Sequence, residues 1–182
     1  MAKIAVFLAD GFEEIEGLTV VDICRRCRIE VETVSIMETE KVVSSHSIPV
    51  LADVKLQDAD FSSYDMLVLP GGLKGTQNLE ACQILMEQLD SFYAAGKNIS
   101  AICAAPSIFG HRGFLKGRNA TSYPDFESHL EGAIINHANV EVSDHVITSR
   151  GMGTSIDFAL AIATVFVGAD KAEEIAKQVM YH

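Results

Sequence analysis

Ile4-Ala5-Val6-Phe7-Leu8-Ala9-Asp10-Gly11 is an unbroken apolar run that stops at a turn dipeptide. A strand with one wet face alternates apolar and polar residues, whereas a strand covered on both faces does not need to. The run therefore reads as an inner strand of a parallel sheet. From Glu14 to Arg28 the period changes. Ile15, Leu18 and Val21, with Val20, Cys24 and Cys27, recur at three- and four-residue steps, and Glu13, Glu14 and Glu16 sit in or beside the first turn, where the helix dipole favours acids. Val31 to Met37 reads as the next strand.

Downstream, Val42-Val43 and Pro49 to Ala52 flank Ser44-Ser45-His46-Ser47 and suggest a small hairpin or an edge excursion. Met66 to Leu69 is a buried strand ending in Pro70-Gly71-Gly72, and a helix is predicted from about Leu79 to Ala95, closed by Gly96. Asn98 to Ile102 returns as a strand, and Pro106 to Arg112 as a helix. Val140 to Ser149 reads as a hairpin turning at Asp144-His145. Helices from about Thr154 to Val167 and from Lys171 to Val179 follow, with Gly168 between them. Strands alternating with helices require right-handed crossovers, so the fold class is α/β, with a mainly parallel central sheet and helices on both faces. Neither a repeat nor a linker interrupts residues 1–182, which read as a single domain.

Composition narrows the function. The chain is 48% apolar and 21% charged with four prolines, an ordinary globular profile with enough length for one sizeable core. A formal charge of -11 with only 14 scattered Lys and Arg argues against nucleic-acid binding, which needs clustered cations. No apolar run reaches the ~20 residues of a membrane span, and no leader pattern precedes the first strand. A cytoplasmic location is expected. Cys24, Cys27, Cys82 and Cys103 lack the spacing of a disulfide scaffold and read as reduced thiols.

In an open α/β sheet the binding crevice lies beyond the carboxyl ends of the strands. Three such ends carry unusual residues: Asp10 to Glu16, Pro70-Gly71-Gly72 and Cys103. The segment Ala101-Ile102-Cys103-Ala104-Ala105 resembles a nucleophile elbow with cysteine as the nucleophile, because a sharp strand-to-helix turn tolerates only small neighbours. The alternative is a packed, inert thiol. An active cysteine must form a thiolate, and lowering a pKa of ~8.5 by about three units takes ~4 kcal/mol, more than a helix N-terminus supplies. The amides of Gly71 and Gly72 are candidate donors to the sulfur and to a developing oxyanion or sulfinate. Glu16, if protonated, could donate to the sulfur; the pair would then share one proton. The other reading of Glu16 is a solvated acid in a first helical turn.

The remaining candidates are weaker. Cys24-Arg25-Arg26-Cys27 lies near a helix end with both thiols on the apolar stripe, and a zinc site would need two further ligands, so neither a redox nor a metal role is assigned. The six histidines form no ligand pattern. No metal and no cofactor are expected.

Glu13-Glu14-Ile15-Glu16, Leu69-Pro70-Gly71-Gly72, Ala101-Ile102-Cys103-Ala104-Ala105-Pro106 and Thr148-Ser149-Arg150-Gly151 together resemble the ThiJ/PfpI superfamily, and within it the DJ-1 branch, over essentially the whole chain. The resemblance implies a flavodoxin-like three-layer sandwich and a homodimer. It implies Cys103 as the reactive residue, Glu16 as its hydrogen-bonding acid, Gly71, Gly72 and Ala104 around the oxyanion or sulfinate, and Arg26 near the site and dimer interface. It also implies a stress-response protein whose cysteine oxidises to a sulfinic acid, with chaperone-type protection of unfolded proteins. The alternative it offers is a cofactor-free glyoxalase or deglycase acting on methylglyoxal or glycated groups. Two departures refine this. Ala104 stands where the protease-like branch has a histidine, which removes the base of a Cys-His peptidase. Tyr123 stands where animal members have a histidine near the cysteine.

Overall fold

The computed structural model describes residues 1–181. Its strands are β1 (Lys3–Leu8), β2 (Glu30–Ser35), β3 (Lys41–Val43), β4 (Pro49–Leu51), β5 (Val54–Lys55), β6 (Met66–Leu69), β7 (Asn98–Ile102), β8 (Asn119–Ala120), β9 (Ile134–Ile135), β10 (Val140–Ser143) and β11 (Val146–Ser149). Its helices are α1 (Glu14–Arg26), α2 (Leu73–Ala81), α3 (Gln83–Ala94), α4 (Pro106–His111), α5 (Ser155–Val167) and α6 (Ala169–Gln178). Seven strands form one sheet in the order β10-β11-β7-β6-β1-β2-β5, parallel except for the β10–β11 hairpin.

Alternation along the inner strands builds the two faces. Ile4, Val6 and Leu8 of β1 pack with Val20, Cys24, Phe158 and Ile162 under α1 and α5. Ala5 and Phe7 point the other way, toward Leu79, Leu85, Leu89 and Phe109 of α2, α3 and α4. Both cores are closed to water, so the apolar run that opened the reading is the middle of a three-layer sandwich.

Most boundaries follow the sequence, and the departures have local causes. Helix α1 ends at Arg26, not Arg28. Arg28 adopts φ 60°, its amide donates to Arg25 O, and the Ile29 amide donates back to Cys24 O, a closing pair of bonds that ends the helix without glycine. The helix expected from Leu79 to Ala95 is two helices, because Cys82 is extended (φ -81°, ψ 97°) between them. Residues 73–78 carry Gly75, Thr76 and Asn78, which weaken the helical pattern. Gly75 is needed there, because a Cβ would lie 2.6 Å from Phe12 Cα, and this close approach locks the β6–α2 turn onto the β1–α1 turn. The hairpin at residues 41–51 forms as expected, and the two-residue strands β5, β8 and β9 are too short to leave a period in the sequence.

The chain runs outward from β1 to β2 and β5, then reverses to β6, β7 and β11. The reversal falls between β1 and β6, the point at which an open sheet leaves a crevice.

Candidate active site

Three adjacent strands, β1, β6 and β7, deliver Glu16, Gly71-Gly72 and Cys103 to the same end of the sheet. Cys103 leaves β7 with φ 66°, a left-handed conformation unusual for a residue with a side chain, and is held there from both sides. Its amide donates to Ser149 O at 3.0 Å, and its carbonyl accepts from the Tyr123 amide at 2.9 Å. This fixed turn lifts the thiol out of the sheet, and Cys103 is only partly buried. The elbow expected from Ala101, Ala104 and Ala105 is formed. Tyr123, 46% exposed, stands beside it.

Glu16 is 1% exposed. Its Oε2 accepts the Gly71 amide at 2.8 Å. Oε1 finds no well-formed partner among the described residues, and what it faces is the Cys103 sulfur, close enough for the thiol to pull on the carboxyl. Burial pushes Glu16 up to about 7, against the Cys103 contact and the Gly71 amide, with the Glu13 charge adding to the rise. Burial, the Glu16 charge and the hydrogen bond to Glu16 push Cys103 up to about 12, against the amides of Gly72 and Ala104. A thiol depressed well below its ordinary value is therefore not what the site makes. The two groups titrate as a unit, losing a first proton near neutrality and holding the second far into alkali. Between those limits the pair holds one proton, which can sit on sulfur or on the carboxyl, and the thiolate beside a protonated Glu16 is one of these two placements.

Gly72 and Ala104 donate toward sulfur. Gly71 does not, because its one amide proton is committed to Glu16. Gly71 is instead required by space: a Cβ there would lie 2.5 Å from Glu16 Oε2 and 2.6 Å from Cys103 Cβ. Gly72, at φ 88°, turns the chain into α2. Arg26 lies nearly three turns from Glu16 along α1, about 15 Å away, ion-paired with Asp22 on the surface. It is not at the thiol pocket.

Two features beside the pocket were visible in the sequence but were given no role there. The β3–β4 hairpin is clamped onto α1 by Ser45, whose hydroxyl donates to Glu13 at 3.0 Å, and by His46 Nδ1, 2.8 Å from Glu14. Glu13, Glu14 and His46 are the described group spaced to share a metal ion, but they are already bonded to one another or to Ser45. The other is the loop after β11, where Arg150 and Gly151 form a wall of a cleft of about 450 Å³ with Tyr123 and Asn139. Their position at a strand's carboxyl end was the available signal. Cys24 and Cys27 are buried under α1, where burial raises both thiols. Among the described residues no helix is long and apolar enough to cross a membrane.

The chain is 38% identical over 176 residues to "Protein DJ-1 homolog B" of Arabidopsis thaliana, covering 96% of this chain but 40% of that protein, so it spans less than half of this plant relative. It is 32% identical over 166 residues to "Glutathione-independent glyoxalase DJR-1.2" of Caenorhabditis elegans, covering 91% and 88% of the two chains. Among solved structures, the C103A mutant of a DJ-1 superfamily protein from Salmonella typhimurium superposes with a TM-score of 0.95, 36% identity and complete coverage of both chains. Oxidized DJ-1 of Toxoplasma gondii gives 0.95 and 33%, covering 100% and 99%. The sequence pattern of the DJ-1/PfpI family matches residues 2–165, and with it the chain that sets Cys103 against Glu16 belongs to the DJ-1/PfpI family.

Proposed function

We propose that this chain is a cysteine-dependent stress-response protein in which the Cys103–Glu16 pair reacts with small electrophiles, peroxide first. The observation that carries the reading is the geometry of that pair: a part-buried thiol on a strained turn beside a fully buried carboxyl, with two amides aimed at the sulfur. In the thiolate placement, sulfur attacks one oxygen of hydrogen peroxide. The S–O bond forms as the O–O bond breaks, and the departing hydroxide takes the proton held by Glu16. The sulfenic acid returns its proton to Glu16, and the sulfenate attacks a second peroxide, releasing water as it becomes a sulfinate, whose oxygens the Gly72 and Ala104 amides are placed to hold, with protonated Glu16 donating as well. Cys24 and Cys27 lie in the core and Cys82 at the α2–α3 junction, so the product depends on this pocket rather than on a resolving thiol. Intact-protein mass spectrometry under graded peroxide tests this. Cys103 should gain two oxygens before Cys82 gains any, and equal reactivity of the two would refute it.

A second reading has its own support. A carboxyl pushed up to about 7 is matched to general acid–base work at neutral pH, and the nematode relative is named as a glyoxalase. The thiol would add to the aldehyde of methylglyoxal as a hemithioacetal, and Glu16 would move the C1 proton to C2. Water would then release lactate from the resulting thioester, with no net redox change. Methylglyoxal loss that persists in Cys103→Ala would remove this reading. Protection of unfolded proteins, if present, should survive the same substitution.

A homodimer is proposed through the exposed apolar face of α1, where Ile15 (46% exposed) and Leu18 (36%) stand beside Ile48 (46%). Asp22, the partner of Arg26, lines the same groove, so an interface role for Arg26 is part of this proposal. The free thiols and acidic surface support a cytoplasmic setting.

A further inference from the structure

The cleft beside Cys103 contains a cation that none of this chemistry uses. The cleft meets the pocket at Gly151, where a Cβ would lie 3.9 Å from Cys103 Sγ, 4.0 Å from Glu16 Oε1 and 3.6 Å from the Tyr123 ring. Arg150 is the next residue, its side chain 30% exposed in the cleft wall. Of the five N–H groups of a guanidinium, one donates to His137 O at 3.1 Å. Among the described residues the carboxylate nearest to it is Glu127, at 3.9 Å, and the same Glu127 oxygen is held more closely by His137 Nδ1 at 2.9 Å. A structural arginine is normally locked by a bidentate carboxylate at ~2.8 Å. This one keeps most of its fork unspent. One N–H of the Asn139 amide beside it is committed to Asp157 at 3.1 Å, and Arg150 is the cationic donor on that wall. In a chain of formal charge -11, this is a loosely paired cation on the wall of a cleft that meets the Cys103 pocket at Gly151.

We propose that Arg150 is a specificity-determining residue that makes the Cys103 cleft select small carbonyl compounds bearing a carboxylate over neutral ones of equal intrinsic reactivity. The inference rests on the reading of Cys103 as a nucleophile. The carboxylate pairs with the guanidinium while the adjacent carbonyl carbon meets the sulfur. The S–C bond forms as the C=O π bond opens, and the oxygen takes the shared proton, leaving the carboxylate unchanged.

The test compares Cys103 alkylation by iodoacetate and by iodoacetamide at low salt, resolved by mass spectrometry. Both reactions form an S–C bond and expel iodide, and the reagents differ in charge. Arg150→Gln should lower the iodoacetate-to-iodoacetamide rate ratio by about tenfold, whereas Glu127→Gln, which frees the guanidinium, should raise it. High salt should erode the wild-type ratio toward that of Arg150→Gln. Glyoxylate should protect Cys103 in the wild type and protect it less in Arg150→Gln. A reactive Cys103 whose ratio is the same in wild type and Arg150→Gln overturns this inference alone. A wild-type Cys103 inert to both reagents overturns the nucleophile reading and this inference with it.

Discussion

The Gly71 amide donates to Oε2 of Glu16 at 2.8 Å across 55 residues of chain, and that bond decides which carboxyl oxygen is left to meet the Cys103 thiol. An acid on one helix and a glycine at the end of another strand thereby fix the geometry of a third group. Oε1 is buried without another donor, so its proton has one useful acceptor, the sulfur.

The first consequence is a pH profile. The pair loses its first proton near the value of about 7 that burial gives Glu16, so the Cys103 alkylation rate in wild type should rise with an inflection near neutrality. Glu16→Gln removes that proton and leaves an isolated buried thiol. Its inflection should move above ~8.5, with rates at pH 7 lower by roughly tenfold or more. A wild-type inflection already above ~8.5 and unmoved by the substitution would show that the groups are not coupled.

Stability should carry the same signature with a definite sign. Glu16 is raised from 4.5 to about 7, so the folded state binds the proton more tightly than the unfolded one. That contribution is complete below about 4.5 and is lost as pH rises through about 7. The span corresponds to at most roughly 3 kcal/mol. Urea unfolding between about pH 5 and 8 should show wild type weakening as pH rises. Glu16→Gln should be nearly flat over that range, and a wild-type curve that climbs instead would reverse the assignment.

Gly71→Ala probes the packing rather than the charge. Its Cβ would press on Glu16 Oε2, Cys103 Cβ and the Ile102 carbonyl oxygen, at 2.5, 2.6 and 2.9 Å. We expect a loss of about 1–3 kcal/mol from overpacking, together with loss of the neutral inflection in alkylation. Wild-type stability with an intact inflection would mean that the turn can move aside.

What the sequence showed of this site was whatever sits on one strand end. Cys103 and Gly72 follow the ends of β7 and β6, Glu16 lies in the first turn of the helix after β1, and small neighbours marked the elbow. What it did not show depended on partners far along the chain. Gly71 looked equivalent to Gly72, because a sequence cannot say that one amide is already committed to Glu16. The amide donors to the sulfur were foreseeable, but the depth of burial that opposes them was not. Helix α2 was missed because Gly75, which its packing on Phe12 requires, reads locally as a helix breaker. Arg150 stood in the Thr148-Ser149-Arg150-Gly151 motif, but no role could be given to it from sequence, because the cleft it lines is built from segments distant along the chain.

Backbone strain at Cys103 makes a separate prediction. At φ 66° a side chain costs on the order of 1 kcal/mol that glycine does not incur. Cys103→Gly should therefore be as stable as Cys103→Ala or more so, despite losing a methyl group, and Cys103→Val should be the least stable of the three because β-branching worsens the clash. Thermal unfolding of the three variants gives the order directly. A glycine variant well below alanine would mean that the side chain's packing outweighs the turn.

The apolar face of α1 yields the last prediction. Ile15, Leu18 and Ile48 expose large side chains beside one another, around a groove that Ile156 and Val179 continue. Three such side chains wetted together are unfavourable by roughly 25 cal/mol per Å² of apolar area left uncovered. A second copy would relieve that cost on both surfaces by presenting the same patch to itself. Leu18→Glu places a charge in the middle of the patch and keeps α1 intact, since glutamate is a good helix former. Light scattering after size exclusion should give a dimer for wild type and a monomer for Leu18→Glu, with circular dichroism unchanged. The Cys103 alkylation rate should change little, because Leu18 faces the groove rather than the pocket. A monomeric wild type would refute the dimer, and a dimer indifferent to the charge would place the contact on another face.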